Sequence, residues 1–120
     1  MTATHDMPAE VLSLVADQFR LLSDPTRLKL MLALRGGERG VTAIAEAAGT
    51  SQANASKHLA ALHDAGMLTR RRDGGYVYYQ AKGRVPYLLV DAVCKSLDVQ
   101  VSERQALLSG TQPHATEAAA

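Results

Sequence analysis

Ser51-Gln52-Ala53-Asn54-Ala55-Ser56-Lys57-His58-Leu59-Ala60-Ala61-Leu62-His63-Asp64-Ala65-Gly66 carries the clearest helical pattern in the chain. Ala55, Leu59 and Leu62 recur at i, i+4 and i+7, the spacing of one helix face, which predicts a helix over 52–65 with these three turned into a core. Ser51 stands where a side-chain oxygen can accept from the first exposed amides. Gly66 stands where a helix most readily closes in the left-handed conformation. Geometry then fixes the opposite face as Ala53, Ser56, Lys57 and Ala60, with Gln52 near its N-terminal end. Small side chains let such a helix sink into a DNA major groove, Gln and Ser supply donors and acceptors for base edges, and Lys supplies charge for phosphate. His58 falls either partly against the core or beside phosphate. An ordinary solvent-facing helix also shows Ala, Ser and Lys, so the flanking segments have to decide between the two readings.

Upstream, Val41 to Ala48 reads as a short alanine-rich helix with Thr42 as its cap, Ile44 as its apolar anchor and Gly49 as its end. Helix, tight turn and helix follow one another, each end marked by a residue its geometry prefers. Earlier still, Pro8 to Leu22 places Val11, Leu12, Val15, Phe19 and Leu22 at helical spacing, a stripe broad enough to meet more than one neighbour. Ser23-Asp24-Pro25 breaks the chain and restarts it, because Asp24 can cap exposed amides and Pro25 fits a first helical position. The second helix is expected to run to about Leu34 with Leu28, Leu30, Met31, Leu32 and Leu34 mostly buried, and Gly36, Gly37 and Gly40 end it.

Downstream of Gly66 the period changes from helical to alternating. Met67–Arg72 and Tyr76–Lys82 read as two strands joined by Asp73-Gly74-Gly75, small residues suited to a tight hairpin. Arg70, Arg71 and Arg72 are consecutive, and adjacent strand residues alternate faces, so a buried sheet would hold at least one of them badly. A solvent-flanked wing accepts all three and can lay them along a phosphate backbone or minor groove. Val85 to Val99 returns to helix, with Leu88, Leu89, Ala92, Val93 and Leu97 on one side; Asp98 and Ser102 allow a bend before a weaker helical stretch to Leu108. The expected architecture is mainly α with a small β-hairpin, in the order α-α-α-α-β-β-α. A single domain over 8–109 is flanked by flexible tails at 1–7 and 110–120.

Composition agrees with an ordinary folded domain: 120 residues, 47% hydrophobic and 21% charged. No run approaches the roughly 18 apolar residues of a membrane span, and Met1 to Met7 has no secretory pattern, so a cytoplasmic protein is expected. A lone cysteine, Cys94, makes no internal disulfide framework. The net charge is only +1, but from Lys57 to Arg84 six basic residues stand against two acidic, giving +4 there and −3 elsewhere. Nucleic acid is the commonest reason to place such a basic segment on a neutral chain.

The chain resembles the ArsR/SmtB winged helix-turn-helix regulators, on four pieces in the family's order. These are Phe19-Arg20-Leu21-Leu22-Ser23-Asp24-Pro25-Thr26-Arg27, then Ser51-Gln52-Ala53-Asn54-Ala55-Ser56-Lys57-His58-Leu59, then Leu62-His63-Asp64-Ala65-Gly66-Met67-Leu68, and Gly74-Gly75-Tyr76-Val77-Tyr78-Tyr79-Gln80. The resemblance implies a homodimer paired through the first and last long helices, binding an imperfect palindrome of double-stranded DNA as a repressor, with release by a metal ion or another small signal. It also implies DNA contacts from Ser51, Gln52, Ala53, Ser56, Lys57, His58, Arg70, Arg71 and Arg72.

The departures from that pattern concern the signal. Some members sense metal through a cysteine motif where this chain has Val41-Thr42-Ala43-Ile44. Others use Asp and His pairs on the last long helix, aligned here with Gly83, Val85, Ser96 and Val99, none of them a good first-row metal ligand. At the wing tip, where relatives often carry Arg or Lys, stands Gly75. Residues left as candidate sensors are His5, Asp6 and His114 in the tails, which could meet in a dimer and take nickel, cobalt or zinc. Cys94 could pair with its twofold mate or accept a persulfide, although a lone buried cysteine is more often plain core. Two other readings stay open: a regulator with no ligand of its own, constitutive or dependent on a protein co-regulator, and a winged helix used as a protein-interaction module. An enzyme is not expected, because His58, His63 and Asp64 are accompanied by no nucleophile, cofactor loop or paired acids.

Overall fold

The computed structural model describes residues 6–98. Its elements are α1 (Ala9–Leu22), α2 (Pro25–Ala33), β1 (Arg39–Gly40), α3 (Val41–Ala48), α4 (Gln52–Asp64), β2 (Leu68–Asp73), β3 (Tyr76–Ala81) and α5 (Val85–Ser96). The expected order holds with one addition, the two-residue strand β1. It pairs antiparallel with β3, Arg39 opposite Tyr79 and Gly40 opposite Tyr78, so the hairpin becomes a three-stranded sheet in the order β1-β3-β2. At this crossing Gly40 packs close to the Tyr78 ring, 3.4 Å from where a Cβ would stand.

Four helix boundaries have a clear local cause. Asp24 accepts from the Arg27 amide at 3.1 Å with Pro25 in the first turn of α2. Ser51 does the same for Asn54 at 3.1 Å at the start of α4. Gly49 and Gly66, with φ of +68° and +84°, end α3 and α4 in the left-handed region that side chains with a Cβ rarely adopt. Thr42 is not the cap of α3: the N-cap position is Gly40, which has no side chain to offer, and Thr42 lies one residue inside the helix.

The core lies where α2, α3, α4 and the base of the sheet meet. Leu30, Met31, Leu34, Ile44, Leu59 and Leu62 are fully buried, and Leu22, Ala45, Ala48, Ala55, Met67, Leu68 and Tyr79 are buried with them. Each large side chain contributes about 1.5–3 kcal/mol of burial. Leu32, expected inside, points out at 40% exposure, because its neighbours Leu30, Met31 and Leu34 already take the inward positions of α2. On α1 only Leu22 is buried, and Val11, Leu12, Leu14, Val15 and Phe19 are all exposed.

The chain divides into two compact units, one ending at Arg84 and one beginning at Val85. In the second, α5 ends at Ser96, short of the expected Val99, and Asp98 takes a positive φ of 54° that interrupts helical geometry. Val85, Leu88, Val93 and Leu97 are exposed. The expected bend at Ser102 and the stretch to Leu108 lie outside the described residues. Among the described residues no helix is long and apolar enough to cross a membrane.

Candidate nucleic-acid interface

The helix α4 is held from behind and bare in front. Ala55, Leu59 and Leu62 are buried on one face, while Ser51, Gln52, Ala53, Ser56 and Lys57 are exposed on the other. The turn before it is stiffened by its own side chains: Asn54 Nδ2 donates to Thr50 Oγ1 at 2.8 Å, and the Thr50 amide donates to Ala45 O at 3.0 Å. Gln52 is not loose in solvent, since its Nε2 donates to Thr42 Oγ1 at 2.8 Å and so ties the first residue of α4 to the first turn of α3. Beside this pair an open groove of about 510 Å³ runs between the starts of α3 and α4 and the tip of the hairpin, with Thr42, Gln52, Ser56, Tyr76 and Tyr78 among its walls.

Of the two expected settings for His58, the structure gives the packed one. The ring is half-buried, and its Nδ1 accepts from Arg27 Nε at 3.3 Å, which ties α4 to the start of α2. Asp24, at that same start, titrates below its ordinary value chiefly because its carboxylate accepts the Arg27 amide, with the Thr26 amide and the Arg27 charge adding to this. His63 lies farther along α4 in a T-shaped arrangement with Tyr79, centroids 6.4 Å apart.

Strand alternation separates the three arginines of the hairpin, as expected. Arg70 and Arg72 share one sheet face, opposite Tyr79 and Val77 across the ladder, and Arg71 lies on the other with Tyr78. Arg71 is committed to a clamp: Nε and Nη2 fork onto Glu38 at 3.1 and 2.8 Å, Nη1 lies 3.6 Å from Asp73, and the guanidinium sits 4.5 Å from the centre of the Tyr78 ring. The fork pulls the Glu38 carboxyl below its ordinary pKa and raises that of Arg71. Lys57, Arg70 and Arg72 are exposed and have no ion-pair partner among the described residues.

The structure thus brings the expected residues of α4 and the hairpin onto one unit and adds four partners that sequence reasoning missed: Glu38, Thr42, Arg27 and β1. Their contacts span 33, 10 and 31 positions along the chain for Glu38–Arg71, Thr42–Gln52 and Arg27–His58, and no local pattern marks any of them. Of the candidate sensors, Asp6 is exposed, Cys94 is half-buried on α5, and His5 and His114 lie outside the described residues. Among the described residues no three His, Cys, Asp or Glu side chains gather as a metal site.

A helix-turn-helix whose second helix bares small, polar and basic side chains beside an arginine-bearing hairpin defines the winged helix-turn-helix class of DNA-binding domain. Residues 24–70 match the model of the bacterial regulatory protein, arsR family. The chain is 40% identical over 97 residues to a probable mercury resistance operon repressor of Streptomyces lividans, covering 80% of this chain and 78% of that one. It is 35% identical over 88 residues to the transcriptional regulator KmtR of Mycobacterium tuberculosis, covering 72% and 68%. Among solved structures it is similar to the homodimeric winged helix-turn-helix DNA-binding domain of a possible ArsR-family regulator from Mycobacterium bovis, with a TM-score of 0.67 and 34% identity over 84% of this chain and 94% of that one. The chain belongs to the ArsR family: it is a DNA-binding transcriptional regulator and not an enzyme.

Proposed function

We propose that the protein is a homodimeric repressor that binds an imperfect palindrome, with two copies of α4 in successive major grooves and the wings on the flanking backbone, and that a small signal releases it. The observation that carries this reading is the exposed set Gln52, Ser56 and Lys57 on α4 together with Arg70 and Arg72, which have no ion-pair partner among the described residues. Base-edge groups and free cations in that combination serve sequence readout and phosphate binding, and a protein-interaction wing has no general use for both. Ser51, Ala53 and His58 complete the surface, with His58 held by Arg27 rather than reaching out. Arg71 differs from its neighbours: clamped to Glu38, it sets the attitude of the wing while Arg70 and Arg72 meet phosphate.

Dimerisation is supported by the apolar side chains that α1 and α5 leave in solvent, more than a monomeric domain usually exposes on two helices. The similar Mycobacterium bovis domain is described as homodimeric. A twofold dimer reads a site with matching twofold symmetry. The names of the relatives, resistance to mercury among them, favour a metal ion as the signal, with His5, Asp6 and His114 or the pair of Cys94 thiols as the groups to receive nickel, zinc, cobalt or a thiol-seeking ion.

The test is binding of the purified protein to the duplex upstream of its own gene at fixed salt, titrated with nickel, zinc, cobalt, copper(I) and persulfide donors. Tight binding released by one of these supports both halves of the reading. Tight binding indifferent to all would remove the signal and leave a regulator controlled by abundance or a partner. Absence of binding to any duplex would overturn the reading.

A further inference from the structure

The hydrogen bond between Thr42 and Gln52 joins the starts of α3 and α4 but caps neither helix. The N-cap position of α3 is Gly40, so Thr42 is not spent on capping, and α4 has its own cap in Ser51. Both side chains are exposed, and exposed polar groups can be satisfied by water as well as by each other. What the bond does achieve is to hold the amide of Gln52 in one place at the end of α4 that leads into the groove shared with Ser56, Tyr76 and Tyr78. A glutamine free to rotate loses that freedom on contacting a base, and one already held does not.

The chemistry of the amide indicates which base it would meet. A primary amide pairs bidentately with adenine by accepting from the N6 amino group with its oxygen and donating to N7 with the N–H on the same side as that oxygen. The other N–H of the same nitrogen points away from this edge and takes no part. We propose that Thr42 takes up this far-side N–H and is the positioning residue that presents the adenine-reading edge of Gln52, giving the operator an A·T pair at the position facing Gln52 in each half-site. The inference rests on the reading that α4 enters the major groove. It adds the base that is read and a residue of the preceding helix that makes the reading sharp.

The experiment starts from a duplex selected by the wild-type protein out of a random library, in which every base pair is then replaced singly. Affinities of wild type, Gln52→Ala, Thr42→Val, Thr42→Ser and Thr42→Ala are measured on this panel by fluorescence anisotropy at fixed salt. Wild type should discriminate for A·T at one symmetric pair of positions by about fivefold to a hundredfold, the range of one good bidentate contact. Gln52→Ala should erase the discrimination at those positions only. Thr42→Val and Thr42→Ala should each lower it several-fold there while leaving affinity for a random duplex unchanged, and Thr42→Ser, which keeps the hydroxyl, should retain it. A structural role for Thr42 would instead weaken binding to all duplexes alike.

Full discrimination in Thr42→Val and Thr42→Ala alongside its loss in Gln52→Ala would show that Gln52 reads without Thr42 and overturn the proposal. A G·C pair at the Gln52-dependent positions would overturn the adenine assignment. No Gln52-dependent position at all would overturn the proposal together with the placement of α4, and a protein that selects no sequence would overturn the proposed function itself.

Discussion

Removal of single cations from the DNA-facing surface should separate residues that touch phosphate from one that does not. Lys57, Arg70 and Arg72 are exposed without ion-pair partners among the described residues, whereas the Arg71 guanidinium is forked onto Glu38 and laid on Tyr78. Three free cations per protomer make six phosphate contacts per dimer. Counterion release then gives a slope of log K against log salt of about −5, and a loss of about a thousandfold in affinity between 50 and 200 mM salt. Lys57→Ala, Arg70→Ala or Arg72→Ala each deletes two contacts per dimer and should flatten the slope by about 2. Arg71→Ala should leave the slope within about 1 of wild type, and any loss of affinity it causes should be independent of salt. Glu38→Gln weakens the clamp that keeps Arg71 from phosphate, so the slope should steepen toward about −7. The assay is anisotropy of a labelled duplex titrated with protein from 50 to 300 mM potassium chloride. Equal flattening by Arg71→Ala and Arg70→Ala, or an unchanged slope in Lys57→Ala, would refute the division of labour drawn from the clamp.

Other perturbations read the scaffold. Leu59→Ala empties a fully buried position on α4 and should cost about 2–5 kcal/mol, seen as a lowered thermal midpoint with DNA binding retained below it. Phe19→Glu places a charge in the exposed apolar stripe of α1; light scattering should find a monomer at micromolar concentration, with specific DNA binding lost. Asp24 and Glu38 both titrate below their ordinary values, the first chiefly through the Arg27 amide and the second through the Arg71 fork. Each therefore adds stability that is complete above the unfolded carboxylate pKa of about 4 and is lost as pH falls through the folded value. The urea midpoint should accordingly fall between about pH 5 and pH 3, and fall less in an Asp24→Asn, Glu38→Gln double variant.

Most of the scaffold was legible because its signals are local. Ser51 before α4, Asp24-Pro25 before α2 and Gly49 and Gly66 after their helices act on amides and carbonyls within one turn, so their places in the sequence carry the information. The buried face of α4 followed from the spacing of Ala55, Leu59 and Leu62, which in turn fixed the exposed face. Where the reading erred, a preference was overruled by packing or by a competing position. Thr42 is a good capping residue, but the chain enters α3 from β1 and the cap position falls on Gly40. Leu32 is apolar but stands on the outer side of a helix whose inward positions are taken. The strand β1 is two residues long, and its pairing with β3 exists only once the chain has folded back on itself. The same holds for the Glu38 clamp: three arginines in a row announce a wing, and only strand pairing with the approach of the α2–β1 connection shows that the middle one is already engaged.

The most direct test of the DNA-binding account is hydroxyl-radical footprinting of the purified protein on a duplex it has selected from a random library. Two protected half-sites related by a twofold axis and spaced by about one helical turn, or about 10 base pairs, are predicted by a dimer presenting two copies of α4. A single protected patch, or uniform protection with no selected sequence, would contradict it.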